Sequence, residues 1–521
     1  MTESRSILSS ASIISISALG GAIAGFGLQL LVAFHFGASA ETDAYFMAQS
    51  TSDLLTKLLL GGSIASVFIP LFVERLAQGK REVAWQLGLN VIHIAGAVFV
   101  VALLLLWFLA EPFIGFIAPG FDEGTTALTV SLLRVLLPSF LLLFLVDLVT
   151  SMLHALKHFL APALLRIVAP LVAALSIIVL VSQLGIYSLA VGVVIGAAIQ
   201  LLLVGATLLR LGFSYRFVFA PGNADFRQLL YLVYPFIFSV LMTQAAGIVY
   251  RILVSDLSAG SLSALKFSEK IYQLLVIMFL NAVTTVIYPL LAEKAGKRDY
   301  RGMQETVAGA IRLIMVVTIP LLIGVALLRQ PLIRLIFERG SFTPADTAAT
   351  AIALLFMVVG LTVNGISSVL GHAVLALKKT RAAVAVSIAS QAVAIGLFVI
   401  LVPIMGHAGL ALGGSLVPIA ISLLYFLFLL RFIPNLRRIL WHVTYAKVLV
   451  LAIALGYTVE FSRSYLEQIT STASSGLLVQ LLVPTVLGII VFFGGAYLWR
   501  IPEVNDVLSI VQARFTKKRR A

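Results

Sequence analysis

The sequence predicts an all-α integral membrane protein of about fourteen transmembrane helices. Three observations carry that reading. Hydrophobic residues make up 61% of the chain and charged residues 11%, against about 45–50% and about 25% in soluble domains. The chain divides into long apolar runs, most of them close to the roughly 20 residues that cross a hydrocarbon core. Lys and Arg collect in alternate links between those runs.

The runs fall at about 12–35, 44–73, 84–110, 127–156, 162–182, 186–210, 227–255, 261–291, 307–328, 347–375, 382–403, 407–431, 444–462 and 476–498. The first, from Ile13 to Phe36, exceeds the roughly 7–15 residues of a signal-peptide core and reads as a membrane helix. Two neighbouring pairs are joined only by short glycine links, Leu184-Gly185 and Met405-Gly406. Placing the N-terminus inside puts 25 of the 36 Lys and Arg in inner segments, 4 in outer segments and 7 within the runs. That split predicts both termini on the cytoplasmic side of the membrane. The four outer cations are Arg329, Arg334, Arg339 and Arg463, and the Arg-rich stretch 329–339 reads as an outer loop. The basic tail Lys517-Lys518-Arg519-Arg520 reads as a contact to anionic membrane lipid.

The same facts exclude several classes. A net charge of +14 is the cytoplasmic-loop bias of a membrane protein, so no nucleic-acid partner is expected. The chain has no Cys and seven scattered His, which removes disulfides, thiolate chemistry and the usual zinc spacings. No nucleotide-phosphate or nucleophile motif appears. No cofactor, no metal and no catalytic residue is expected, and a transporter is favoured over an enzyme.

The chain also resembles itself. Ile69-Pro70-Leu71-Phe72 recurs as Tyr288-Pro289-Leu290-Leu291, Pro112-Phe113-Ile114 as Pro331-Leu332-Ile333, and Ala155-Leu156-Lys157 as Ala376-Leu377-Lys378. Gly185, Ala190, Gly192 and Arg210 recur as Gly406, Ala411, Gly413 and Arg431. Collinear matches at nearly one offset indicate an internal repeat. The predicted organisation is a six-helix lobe at 1–220, a second at 221–440, and a helix pair with a basic tail at 441–521. Six is even, so the repeats are parallel, an arrangement that suits transporters whose lobes rock about a central site.

Charges inside the runs mark candidate sites, because an ionisable group at mid-membrane costs about 2.5–3.5 kcal/mol on insertion scales. Gln49, Asp53 and Lys57 share one helix face, and Lys266, Glu269, Lys270 and Gln273 share another. These are equivalent helices of the repeat. One reading has the two stripes line a hydrophilic cavity in which Lys57, Arg251 and Lys270 hold an anionic group such as phosphate, with Asp53, Glu269, Gln49 and Gln273 in support. The other has Asp53–Lys57 and Lys266–Glu269 as self-neutralising pairs and Arg251 reaching for the interface. Asp147 is a deep lone acid, either a proton or cation site or a partner for a neighbouring helix. Arg134 reads as interfacial.

Several segments resemble one family. Phe36-Gly37-Ala38, Thr42-Asp43-Ala44-Tyr45-Phe46 and Phe68-Ile69-Pro70-Leu71-Phe72 resemble the first two helices of the MurJ/MviN lipid II flippases, of the multidrug/oligosaccharidyl-lipid/polysaccharide exporter superfamily. Phe337-Glu338-Arg339-Gly340-Ser341-Phe342-Thr343 is similar to that family's loop after helix 9, and Ala376-Leu377-Lys378-Lys379-Thr380 to its helix 10–11 link. The resemblance spans the chain. It implies an inner-membrane flippase that carries undecaprenyl-pyrophosphate-linked peptidoglycan precursor to the outer leaflet by alternating access. The head group would sit in a cationic cavity, the lipid tail would run along the last two helices, and cell-wall synthesis proteins would be partners. It supports Lys57 and Lys270 as pyrophosphate contacts, whereas Arg251 rests on position and charge alone.

The chain departs from the family pattern in places. Helix 1 keeps Gly25-Phe26, but Ala22, Leu28 and Gln29 stand at its usual arginine and aspartate positions. Helix 2 reads Thr51-Ser52-Asp53-Leu54-Leu55-Thr56-Lys57, keeping one cation. Glu269-Lys270 stands for Asp-Arg, which loses the bidentate fork of arginine. Residues 382–430 contain no Asp or Glu, where the family places acids for sodium. Alternatives are a flippase for another polyprenyl-linked oligosaccharide, such as an exopolysaccharide unit, a non-transporting scaffold for envelope assembly, and a cation-coupled exporter.

Overall fold

A computed structural model describes residues 2–60, 63–433, 436–437, 442–470 and 474–504. Within these, the side chains at 2–15, 52–53, 55–60, 63–67, 224, 230, 232–243, 282 and 474 lie outside the description. The described residues form helices with no strand. Helices α1 (Thr2–Phe36), α2 (Ala40–Leu60), α3 (Ser63–Ala77), α4 (Arg81–Phe108), α5 (Ala110–Ile117), α6 (Glu123–Ala155), α7 (Leu160–Leu184), α8 (Tyr187–Arg210) and α9 (Ala224–Ser255) come first. Then follow α10 (Ser261–Leu275), a π-turn (Val276–Leu280), α11 (Asn281–Gly296), α12 (Tyr300–Phe337), α13 (Pro344–Ala376), α14 (Thr380–Met405), α15 (His407–Leu429), α16 (Val443–Ile469) and α17 (Ser474–Leu498).

Every expected apolar run is occupied by helix. Among the described residues eleven helices are long and apolar enough to cross a membrane alone, and α10 with α11, bent by 45° just after the π-turn, makes a twelfth when the pair is counted as one span. The other two expected spans lie on α2–α3 and α9, and the figure of about fourteen is not reached by length and composition alone. The apolar belt a bilayer would cover is plain: Phe108, Leu202, Ile404, Tyr457 and Phe461 are all exposed, which for a soluble surface would be a liability.

One expectation needs correcting. The Arg-rich stretch 329–339 is not a loop, because α12 continues to Phe337. Arg334 and Glu338 form an i,i+4 pair at 3.0 Å, and such pairs support a helical turn. The charges that lowered the hydropathy there therefore belong to the end of a helix.

The chain forms two compact units, 1–263 with 339–342, and 264–338 with 343–521. In the first, α6 is central and packs on α2, α3, α4, α5 and α8, with α7 against α8 and α1 against α7. In the second, α13 packs on α11, α12, α14 and α15, with α14 against α15 and the α16–α17 pair against α12. Aromatic stacking anchors the first core, with the Phe99 and Phe144 rings 4.8 Å apart at 11°. In the second, Val316, Leu328, Val448, Leu455 and Phe492 form the buried seam between α12 and the last two helices.

The sequence repeat reappears in the backbone. Asp122 caps α6 and Thr343 caps α13, each through its side chain. Lys157 and Lys378 take left-handed φ of 61° and 58° at equivalent helix ends, and Gly185 and Gly406 do so at 52° and 57°. Gly192 fits for a steric reason: a Cβ there would stand 2.8 Å from the Cα of Ala173. That small residue lets α8 lie against α7, as close-packed membrane helices require.

Candidate functional site

The first unit holds α9 at several points. Arg75 at the end of α3 donates from Nε (3.2 Å) and Nη2 (2.6 Å) to the two carboxylate oxygens of Asp225 in the first turn of α9. The fork geometry makes this a bidentate pair. Arg251, near the other end of α9, donates from Nε to Ser50 Oγ (3.0 Å), from Nη2 to the Ser50 carbonyl (2.7 Å) and from Nη1 to the Gly247 carbonyl (2.8 Å). Its guanidinium thus ties α9 to α2. The Ser255 hydroxyl accepts from the Gly120 backbone N–H at 3.1 Å.

A second cluster gathers the segments that carry the family resemblance. Asp43, in the first turn of α2, is 3% exposed. Its carboxylate accepts from the Gly260 N–H (2.7 Å), the Ser263 N–H (2.7 Å) and the Ser263 hydroxyl (2.5 Å). Gly260 has φ +87°, and a Cβ there would overlap the Ala38 carbonyl at 2.3 Å. Beside it, Ser341 donates from its N–H to the Phe34 carbonyl (2.8 Å) and from Oγ to the His35 carbonyl (3.0 Å). Gly340 has φ +62° and leaves no room for a Cβ against the Phe34 carbonyl. Only glycine meets both demands at these two positions. Sequence reasoning quoted Thr42-Asp43-Ala44 and Gly340-Ser341 as family marks and gave neither a task.

In the second unit the polar face of α10 is intact. Lys266 pairs with Glu269 at 2.9 Å, with side chains 31% and 40% exposed. Gln273 donates to the other Glu269 oxygen at 3.1 Å. Glu269 is therefore occupied by Lys266 and Gln273. Lys270 is half-buried on the same face and has no hydrogen-bond acceptor among the described residues. The pairing named above as one alternative, Lys266 with Glu269, is present, and it leaves Lys270 unspent. The bent π-turn begins six residues further on, and such turns often mark functional segments.

The remaining candidates are placed as follows. Gln49 is half-buried on α2. The side chains of Asp53 and Lys57 lie outside the described residues. Asp147 is exposed on α6 and has no side-chain partner among the described residues, although its carbonyl accepts from Ser151 Oγ at 2.9 Å. Arg134 donates to the Trp107 carbonyl at 3.3 Å and sits over that indole ring.

A family model described as lipid II flippase MurJ matches residues 32–479. The chain belongs to this family. A probable lipid II flippase MurJ from Rickettsia prowazekii (strain Madrid E) is 24% identical over 497 residues, covering 92% of this chain and 96% of that protein. A solved structure of lipid II flippase MurJ in an inward closed conformation matches with a TM-score of 0.79 at 25% identity, covering 93% of this chain and 98% of the other. An inward-facing multidrug-resistance MATE transporter of the MOP superfamily matches with a TM-score of 0.66 at 14% identity, covering 81% and 99%. That second likeness speaks for the fold. The family membership and the apolar helices make the chain a multi-pass membrane protein of transporter type.

Proposed function

We propose that this protein is a flippase that moves lipid II across the cytoplasmic membrane of a bacterium by alternating access, with both termini in the cytoplasm. Lys270 is the observation that carries the reading: a half-buried ammonium on the polar face of α10, with its neighbouring carboxylate already taken. A cation kept without a partner in an apolar span costs stability, and a ligand phosphate would remove that cost. Lys57 on α2 and Arg251 on α9 complete the proposed contacts to the pyrophosphate. Glu269 and Gln273 fix the face that presents Lys270, and Gln49 and Asp53 do so for Lys57. Arg251 would have to share its bonds to Ser50 with the ligand. Asp147 is the proposed proton or cation site, since its carboxylate is unclaimed and residues 382–430 supply no acid. Cell-wall synthesis proteins are the proposed partners.

A second reading, a flippase for another polyprenyl-linked oligosaccharide, is favoured by helix α1, where Ala22, Leu28 and Gln29 stand in place of charged family residues. One experiment separates the two. The chain is expressed in a bacterium depleted of its own lipid II flippase, and lipid II in the outer leaflet is scored directly. Rescue that is lost with Lys270→Ala, at unchanged membrane levels, supports lipid II. No rescue from membrane-inserted protein moves the assignment to another lipid-linked glycan.

A further inference from the structure

Three of the four cations that break the charge rule, Arg329, Arg334 and Arg463, belong to the second unit, and two of them line a common cleft. Arg329 near the end of α12 and Arg463 near the end of α16 share a cavity of about 340 Å³ with Leu327, Gln330 and Glu460. Gln330 and Arg463 also line an adjoining cavity of about 280 Å³ that runs toward Arg334 and Glu338. The Nε–H groups of both Arg329 and Arg463 are buried and have no hydrogen-bond partner among the described residues. Among the described residues Arg329 donates to the Ala326 carbonyl of its own helix, and Arg463 donates from Nη2 to Glu460 at 2.7 Å. Glu338 is taken by Arg334 and by the Thr347 hydroxyl. Glu467 lines only the adjoining cavity.

Depth along the helices fits the head-group layer. From Val443 to Arg463 along α16 is about 30 Å at about 1.5 Å per residue, the thickness of a hydrocarbon core. From Tyr300 to Arg329 along α12 is about 44 Å by the same rise, close to the full bilayer with its head groups. Two planar guanidinium groups with unspent donors, at head-group depth, suit a tetrahedral oxyanion better than a point cation would.

We propose that this cleft binds the phosphate of a membrane lipid head group at the end of α12 and α16 that the loop charges place outside. A phospholipid and a polyprenyl phosphate share that chemistry. The site is separate from Lys270 and does not depend on which lipid is carried. The test is native mass spectrometry of the full chain in detergent with dioleoylphosphatidylglycerol, undecaprenyl phosphate or dioleoylglycerol, the last having no phosphate. The expected result is one phosphate lipid whose retention falls at least ten-fold in Arg329→Gln/Arg463→Gln and persists in Lys270→Ala. Retention of only the phosphatidylglycerol names a phospholipid, retention of only the undecaprenyl phosphate names the carrier, and retention of both means the cleft reads phosphate alone. Equal retention of dioleoylglycerol, or by the double variant, overturns the proposal. A loss in Lys270→Ala as large as in the double variant also overturns it, and leaves the flippase reading standing. If the double variant does not fold, inorganic phosphate is titrated onto the unaltered protein carrying phosphatidylglycerol. Displacement at millimolar phosphate supports the site, and undiminished retention sinks it.

Discussion

Arg251 and Lys270 are both cations set inside apolar helices, and the molecule uses them differently. Arg251 gives three hydrogen bonds to protein oxygens within 3.0 Å, two of them to Ser50. Lys270 gives none among the described residues, and the carboxylate one residue before it is committed to Lys266 and Gln273. A half-buried cation already bonded to the protein holds the scaffold first and shares those bonds with a ligand. One that is half-buried and unspent is kept for something that arrives. The difference yields opposite expectations: truncating Lys270 should cost activity and spare stability, whereas truncating Arg251 should cost stability first.

The largest effect on activity is expected at Lys270. Lys270→Ala should lower lipid II translocation about 10–100-fold, the equivalent of one charge-assisted contact of roughly 1.5–3 kcal/mol. Its melting temperature in detergent should not fall below the unaltered value, since the unpartnered cation itself costs stability. Lys270→Arg keeps the charge and should retain most of the activity. Normal flipping by a Lys57→Ala/Lys270→Ala protein would end the cationic-site reading.

The largest effect on stability is expected at Asp43. Removing its carboxylate leaves the Gly260 and Ser263 N–H groups and one hydroxyl buried without an acceptor, each worth about 1–3 kcal/mol. Asp43→Ala should therefore lose about 3 kcal/mol or more in unfolding, with Asp43→Asn recovering part of it. Arg251→Ala comes next at about 2 kcal/mol, because Ser50 and Gly247 lose their donor but remain near other groups. Arg251→Lys should recover less than half, since a point charge replaces a three-bond fork. A stable Arg251→Ala protein that no longer flips would show that its contact to the ligand outweighs its hold on α2.

The helices were legible because crossing a bilayer demands a long apolar run, and such a run is written continuously in the chain. The repeat was legible for a related reason: Gly185 and Gly406, or Lys157 and Lys378, end equivalent helices in the same left-handed conformation, and the residues that permit it recur. Polar contacts were less legible. Ser50 and Arg251 are 201 residues apart, and Asp43 and Ser263 220, and no local pattern announces either pair. Spacing did reveal the shared face of Lys266, Glu269 and Lys270 and offered the Lys266–Glu269 pair as one of two readings, without deciding between them. The end of α12 misled, because charged residues lowered the hydropathy of what is still helix.

The smallest expected effect sits outside the membrane spans and tests the repeat. Asp122 and Thr343 cap equivalent helices, but only Asp122 is charged. The Thr125 hydroxyl and N–H and the Gly124 N–H bond its carboxylate and hold it below the usual carboxylate range. A depressed folded value means that its contribution is present above the unfolded value, about 3.9, and fades as pH falls through the folded one. Thr343 has no such titration. Melting followed from pH 6 to pH 3 should thus show a downward step that is smaller in Asp122→Ser, whose hydroxyl caps without titrating. An identical pH dependence in the two proteins would show that the charge at the first cap adds nothing to what a hydroxyl cap already does.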